Sequence, residues 1–196
     1  MTEPSGLGLP GLALAGLGKS YAGVAALDSV TLEIRRGTVH CLVGGNGSGK
    51  STLVKLLAGV VNRDARGTVT IGDRTVAASE LTPAWARDAG LRFVHQDIGV
   101  FDDMSVAENV AVVTGYPTGP GGKIDRAALD TSVRALLERF GLDVDPDAPT
   151  GSLRPAARTM LAIARALHDQ GPSSRDGVLV LDEPTASLPE HESAFL

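Results

Sequence analysis

The stretch Gly44-Gly45-Asn46-Gly47-Ser48-Gly49-Lys50-Ser51 constrains this chain more than any other. It fits the pattern G-x-x-x-x-G-K-[S/T] and follows an apolar run, Val39–Val43, that predicts a strand. A helix is predicted from Lys50, because Leu53, Leu56, Leu57 and Val60 recur at i, i+3, i+4 and i+7. Glycines let the backbone curl until successive N–H groups point inward, and the helix N-terminus adds partial positive charge, so such a loop cradles a phosphate. Lys50 is expected to reach the outer phosphates and Ser51 to offer its hydroxyl to Mg2+, with Thr52 beside it in the first helical turn.

A chain of 196 residues, 43% hydrophobic, suffices for one compact core with a small appended subdomain. A net charge of −5 argues against a broad electrostatic footprint on nucleic acid or an anionic membrane. The single Cys41 excludes an internal disulfide and, inside an apolar run, is expected to be a buried small hydrophobe. The apolar N-terminal stretch from Gly6 to Gly18 is broken by Pro10 and has no Lys or Arg ahead of it, so neither a signal peptide nor a membrane span is predicted. His40, His95, His168 and His191 share no metal-ligand spacing and read as structural or solvated.

Further strands are predicted at Val30–Ile34, Thr68–Ile71, Leu91–His95 and Val178–Leu181, the last without alternation, as in a buried central strand. Thr82-Pro83 followed by Gly90 predicts a short helix, and Ser105 with Glu108 predicts a capping box. From Asp125 another helix carries Leu129, Val133, Leu136, Leu137 and Phe140 on one face, with Ile124 stapled onto Leu129. A last helix runs from about Pro155 to Leu167, and the Gly/Pro-rich segment Thr114–Gly122 is a loop. The layout is α/β at both ends with a mainly helical insertion, the pattern of a nucleotide-binding sheet bearing a helical subdomain.

The strand Val178–Leu181 stops abruptly at Asp182-Glu183. Two acids ending a strand are ordinarily just solvated, but a phosphate loop in the same chain gives them work at the C-terminal edge of the sheet. Asp182 is expected in the Mg2+ shell, and Glu183 to orient or deprotonate an attacking water.

With these motifs in order, the chain resembles the nucleotide-binding domain of an ATP-binding cassette (ABC) protein over nearly its whole length, Gly44–Ser51 as Walker A and Val178–Glu183 as Walker B. The resemblance implies ATP and Mg2+ as cofactors and a P-loop NTPase (RecA-like) core with a small N-terminal β part. It makes Tyr21 the aromatic that stacks on adenine, and Gln96, in His95-Gln96-Asp97, the glutamine that senses Mg2+ and the γ-phosphate. VHQDIGVFDDMSVAENV and GLDVDPDAPTGSL resemble the sugar-importer branch. Three departures stand out. Leu153-Arg154-Pro155-Ala156-Ala157 falls where the family carries Leu-Ser-Gly-Gly-Gln, and the switch histidine expected after a further strand has no counterpart before Leu196. Ala186-Ser187-Leu188-Pro189 also lacks the aspartate that many relatives carry. The resemblance thus implies a C-terminally incomplete domain.

The domains expected are a RecA-like core from 12–97 and 176–196, a helical subdomain from 98–175, and a tail from 1–11. The function implied is that of an ATP-hydrolysing transport subunit, powering import of a sugar or similar solute. Its partners would be a second nucleotide-binding domain, met head to tail, and transmembrane permease subunits, with no nucleic acid. The location implied is the cytoplasmic face of the cell membrane. The alternatives are a hydrolysis-impaired regulatory or interaction module, which the altered signature favours, and a cassette ATPase unconnected to transport.

Overall fold

The computed structural model describes residues 11–94, 99–169 and 177–182. They fall into two compact units, one holding 11–93 and 177–180, the other 94, 99–169 and 181–182.

The first unit is built on four strands, β1 (Leu12–Tyr21), β2 (Val24–Ile34), β3 (Arg66–Ile71) and β4 (Arg74–Ala77), in the order β2-β1-β3-β4 with every neighbouring pair antiparallel. Leu12 sits opposite Ile34 on one side and Ile71 on the other. Leu12 and Leu14 alternate into the core until the register slips beyond Leu14, around Gly16. Gly67 makes that irregularity possible. At φ 91 it is left-handed, and a Cβ there would lie 2.5 Å from the carbonyl oxygens of Ala15 and Gly16. Ala22 and Gly23, at φ 46 and 85, form the two-residue turn joining β1 to β2; positive φ at both centres matches the twist of the flanking strands.

Against this sheet lies α1 (Lys50–Leu57), which buries Leu53, Val54, Leu56 and Leu57. Leu53, Leu56 and Leu57 join Leu12, Leu14, Leu17, Val69 and Ile71 in one apolar cluster, and each fully buried leucine contributes about 1.5–3 kcal/mol through its removal from water. Val60, expected on the same face, is exposed, because the helix stops at Leu57 and Gly59, at φ 72, turns the chain away. α2 (Pro83–Asp88) begins as predicted, with the Thr82 hydroxyl accepting from the Trp85 N–H at 3.2 Å and Pro83 in the first turn.

β5 (Leu91–Val94) pairs with β6 (Val178–Leu181). The Val178 N–H donates to the Gly90 carbonyl and the Asp182 N–H to the Val94 carbonyl, four residues further on in both strands, so the pair is parallel. β6 is half-buried rather than fully buried as predicted, since β5 is the one strand paired with it among the described residues.

The run Val39–Val43 departs most from expectation. It belongs to no strand, Val39 is 95% exposed, and Cys41 is exposed rather than buried. Its composition suits a strand covered on both faces, but no strand among the described residues pairs with it.

The second unit packs α3 (Val106–Thr114), α4 (Arg126–Arg139) and α5 (Pro155–Ala166) around Val106, Val110, Leu129, Val133, Leu137 and Leu161. The predicted capping box is present, Ser105 Oγ accepting from the Glu108 N–H and Glu108 Oε2 from the Ser105 N–H. Asp125 caps α4 by accepting from the Ala128 N–H at 3.0 Å. Ile124, expected to staple onto Leu129, is exposed. Asn109 is fully buried: its Oδ1 accepts from the Phe101 N–H, and the two hydrogens on its Nδ2 are shared among the carbonyls of Phe101, Met104 and Ser105 and Thr150 Oγ1. Arg165, also buried, donates to the Gly99 carbonyl at 2.9 Å, and the loss of hydration lowers its guanidinium pKa.

Candidate functional site

Gly44–Gly49 form an open turn running into α1, solvent-exposed up to Ser48. Gly49 is the N-cap at φ 93, ψ 0, and approaches the backbone of β2 closely: a Cβ on it would lie 2.6 Å from the Ala26 carbonyl oxygen and 3.0 Å from Leu27 Cδ2. Only glycine satisfies both the left-handed backbone and that contact. The contact falls on Ala26, where the β1–β2 register shifts between Lys19, opposite Leu27, and Ser20, opposite Ala25. The extra residue in β2 thus meets the last glycine of the loop.

α1 has no side-chain cap and no acid in its first turn, so its free N–H groups and the positive end of its dipole remain available to an anion. Lys50 Nζ donates to the carbonyls of Gly44, at 2.6 Å, and Gly45, at 3.0 Å, which hold the ammonium across the mouth of the loop. Ser51 is exposed beside it and Thr52 half-buried. The site therefore offers a cation, helix-end N–H groups and a hydroxyl in one turn, chemistry suited to a phosphate chain.

Tyr21 closes β1 and is 44% exposed, so it is not a core tyrosine. Behind it lies a residue whose part the sequence did not reveal. Lys19 is only 5% exposed, its Nζ donates to the Arg63 carbonyl at 2.6 Å, and the ammonium stands 4.6 Å from the centre of the Tyr21 ring. Lys19 and Tyr21 are two apart on one strand, a faint signal; Arg63, in the connection after α1, is far away in sequence.

Tyr21 and Gly44–Thr52 belong to the first unit, and Asp182 to the second. Asp182 follows β6 directly, half-buried, with its N–H bonded to the Val94 carbonyl, so the end of the strand fixes its backbone. The Ser51 hydroxyl in the first unit and the Asp182 carboxylate in the second are each hard oxygen donors of the kind Mg2+ takes. Gln96 and Glu183 lie outside the described residues. Leu153 packs against the helical core, while Arg154 is exposed at the N-cap of α5 without a side-chain cap bond and Pro155 occupies the first helical position.

Known proteins share this organisation. Of solved structures, cbiO1 from Clostridium perfringens, described as part of the ABC transporter complex cbiONQ, matches with a TM-score of 0.71 at 27% identity, over 95% of this chain and 70% of that one. A nucleotide-free ATP-binding cassette from an ABC transporter matches in fold with a TM-score of 0.71 at 24% identity, over 93% of this chain and 72% of that one. The fold is the α/β P-loop NTPase fold. The ribose import ATP-binding protein RbsA 2 of Streptomyces avermitilis is 42% identical over 197 aligned residues, covering 100% of this chain and 37% of its own length. A putative ribose/galactose/methyl galactoside import ATP-binding protein of Burkholderia lata is 40% identical over 185 residues, covering 94% of this chain and 33% of its own length. The chain thus spans about a third of the length of these curated relatives. No described helix is long and apolar enough to cross a membrane. The sequence pattern of the family described as ABC transporter matches residues 27–186, the phosphate loop and Asp182 included, and the chain belongs to that family.

Proposed function

We propose that this chain binds MgATP at Gly44–Thr52 and, paired with a second nucleotide-binding domain, hydrolyses it to drive import of a ribose- or galactose-type sugar through membrane permease subunits. The observation that carries this reading is the turn from Gly44 to Ser51, with Gly49 pressed against β2 and Lys50 across its mouth. The names of the relatives support the sugar and the import direction.

In this reading the Tyr21 ring meets the adenine, the N–H groups of Gly45 to Lys50 and the Lys50 ammonium bind the phosphates, and Ser51, Asp182 and Gln96 hold Mg2+. When bound, the ion neutralises charge on the β- and γ-phosphates. Glu183 orients and deprotonates the water that attacks in line. Residues 12–97 and 176–196 act as the ATP-binding core and 98–175 as the helical subdomain that meets the permease at the inner face of the membrane.

A second reading, a nucleotide-binding module that turns over slowly, is favoured by the first turn of α5. Arg154 replaces the serine hydroxyl, and Pro155 removes an N–H, where the family meets the γ-phosphate of the opposite domain. Phosphate release, followed over a concentration series that populates the paired state, separates the two. Release that Glu183→Gln abolishes while MgATP still binds supports the transport ATPase. A background rate in unaltered chain that binds MgATP supports the module.

A further inference from the structure

We propose that Lys19 is a positioning residue for the adenine end of the nucleotide site, fixing the Tyr21 ring from one side so that its opposite face receives the base. This rests on the reading that Tyr21 stacks on adenine.

Lysine is rarely buried without a reason, because its ammonium must leave water. Lys19 is 5% exposed, and among the described residues no carboxylate pairs with it. Among the described residues its ammonium meets the Arg63 carbonyl at 2.6 Å and the Tyr21 ring at 4.6 Å from the centroid. An ammonium over a π-face is attracted to it, and more strongly when desolvated. The ring otherwise stands at an exposed hairpin end, beside Ala22, Gly23 and Val24, where nothing in the turn would fix its rotamer. With Lys19 on one face, a flat base has the other.

The carbonyl contact adds a second effect. Arg63 lies in the connection between α1 and β3, and α1 begins at the phosphate loop. Lys19 therefore ties the strand that ends in Tyr21 to the chain leaving the phosphate-side helix. On the other strand of the same hairpin, Ala26 abuts Gly49. The hairpin thus meets the phosphate-binding turn at Ala26 and the chain that follows α1 at Lys19, which sets the separation of aromatic and phosphate loop before the nucleotide arrives and lowers the ordering cost of binding.

Calorimetric titration with MgATP and, separately, with magnesium tripolyphosphate, which has no base, tests this on the intact chain. Tyr21→Leu is expected to weaken MgATP and leave tripolyphosphate unchanged. Lys19→Met, which keeps the stem and removes the charge, is expected to weaken MgATP by roughly threefold to tenfold, again without affecting tripolyphosphate, and to add nothing in the Tyr21→Leu background. Should Lys19→Met fail to fold by circular dichroism, Lys19→Gln, which keeps an N–H donor for the Arg63 carbonyl, takes its place. Equal loss of both ligands, or unchanged MgATP affinity in the Lys19 variant while Tyr21→Leu weakens it, overturns the proposal. Unchanged MgATP affinity in Tyr21→Leu instead removes the adenine reading beneath it.

Discussion

Gly49 shows how much of a binding site is settled by one backbone angle. At φ 93 it holds a conformation that costs another residue about 1–3 kcal/mol, and the Ala26 carbonyl occupies the space its Cβ would need. Gly49→Ala is therefore expected to lower stability by at least that amount in urea denaturation and to weaken MgATP binding, because the loop must move away from β2. An unchanged denaturation midpoint would show that the loop yields freely. The turn proposed to bind phosphate was legible in the sequence because its chemistry is local: contiguous N–H groups, a cation and a hydroxyl must come from one turn, so the pattern is contiguous too. Lys19 was not, because its role depends on an Arg63 carbonyl brought to it by folding. Asn109 was missed for the same reason: Thr150, which anchors one of its hydrogen bonds, lies beyond α4 in sequence.

Elements separate along the same line. In the second unit α3 followed from its capping box and α4 from the spacing of its apolar face, signals carried within the helix and its first residues. Ser105 and Glu108 exchange two hydrogen bonds at the start of α3, so Ser105→Ala should cost about 1 kcal/mol in thermal unfolding, with Ser105→Asp recovering most of it. No shift in Ser105→Ala would mean that the Ala148 carbonyl, which accepts from the Val106 N–H, holds this helix end unaided. Strands were harder. β1 was not anticipated, because Gly16 and Gly18 interrupt its alternation and alanines occupy two of its positions. Val39–Val43 erred in the opposite direction, since an apolar run becomes a strand only where another strand meets it.

For the molecule as a whole, composition pointed to a core with an appended subdomain, and the described residues form two apolar clusters, one under the antiparallel sheet and α1, the other among α3, α4 and α5. The first cluster lies under the proposed nucleotide site: Leu53, Leu56 and Leu57 fix α1, whose first turn carries Lys50 and Ser51, and Leu27 packs in the same cluster beside the Gly49 contact. The altered first turn of α5 belongs to the second, so a change there need not disturb the phosphate binding proposed for the first. Nucleotide binding by this chain is the claim on which transport, turnover and the role of Lys19 all depend. Calorimetric titration of the chain with MgATP, beside Lys50→Ala, tests it most directly. Saturable binding at one site per chain, lost or greatly weakened in a folded Lys50→Ala variant, is the predicted result. Absence of binding by the folded, unaltered chain, or equal binding by both, would contradict it.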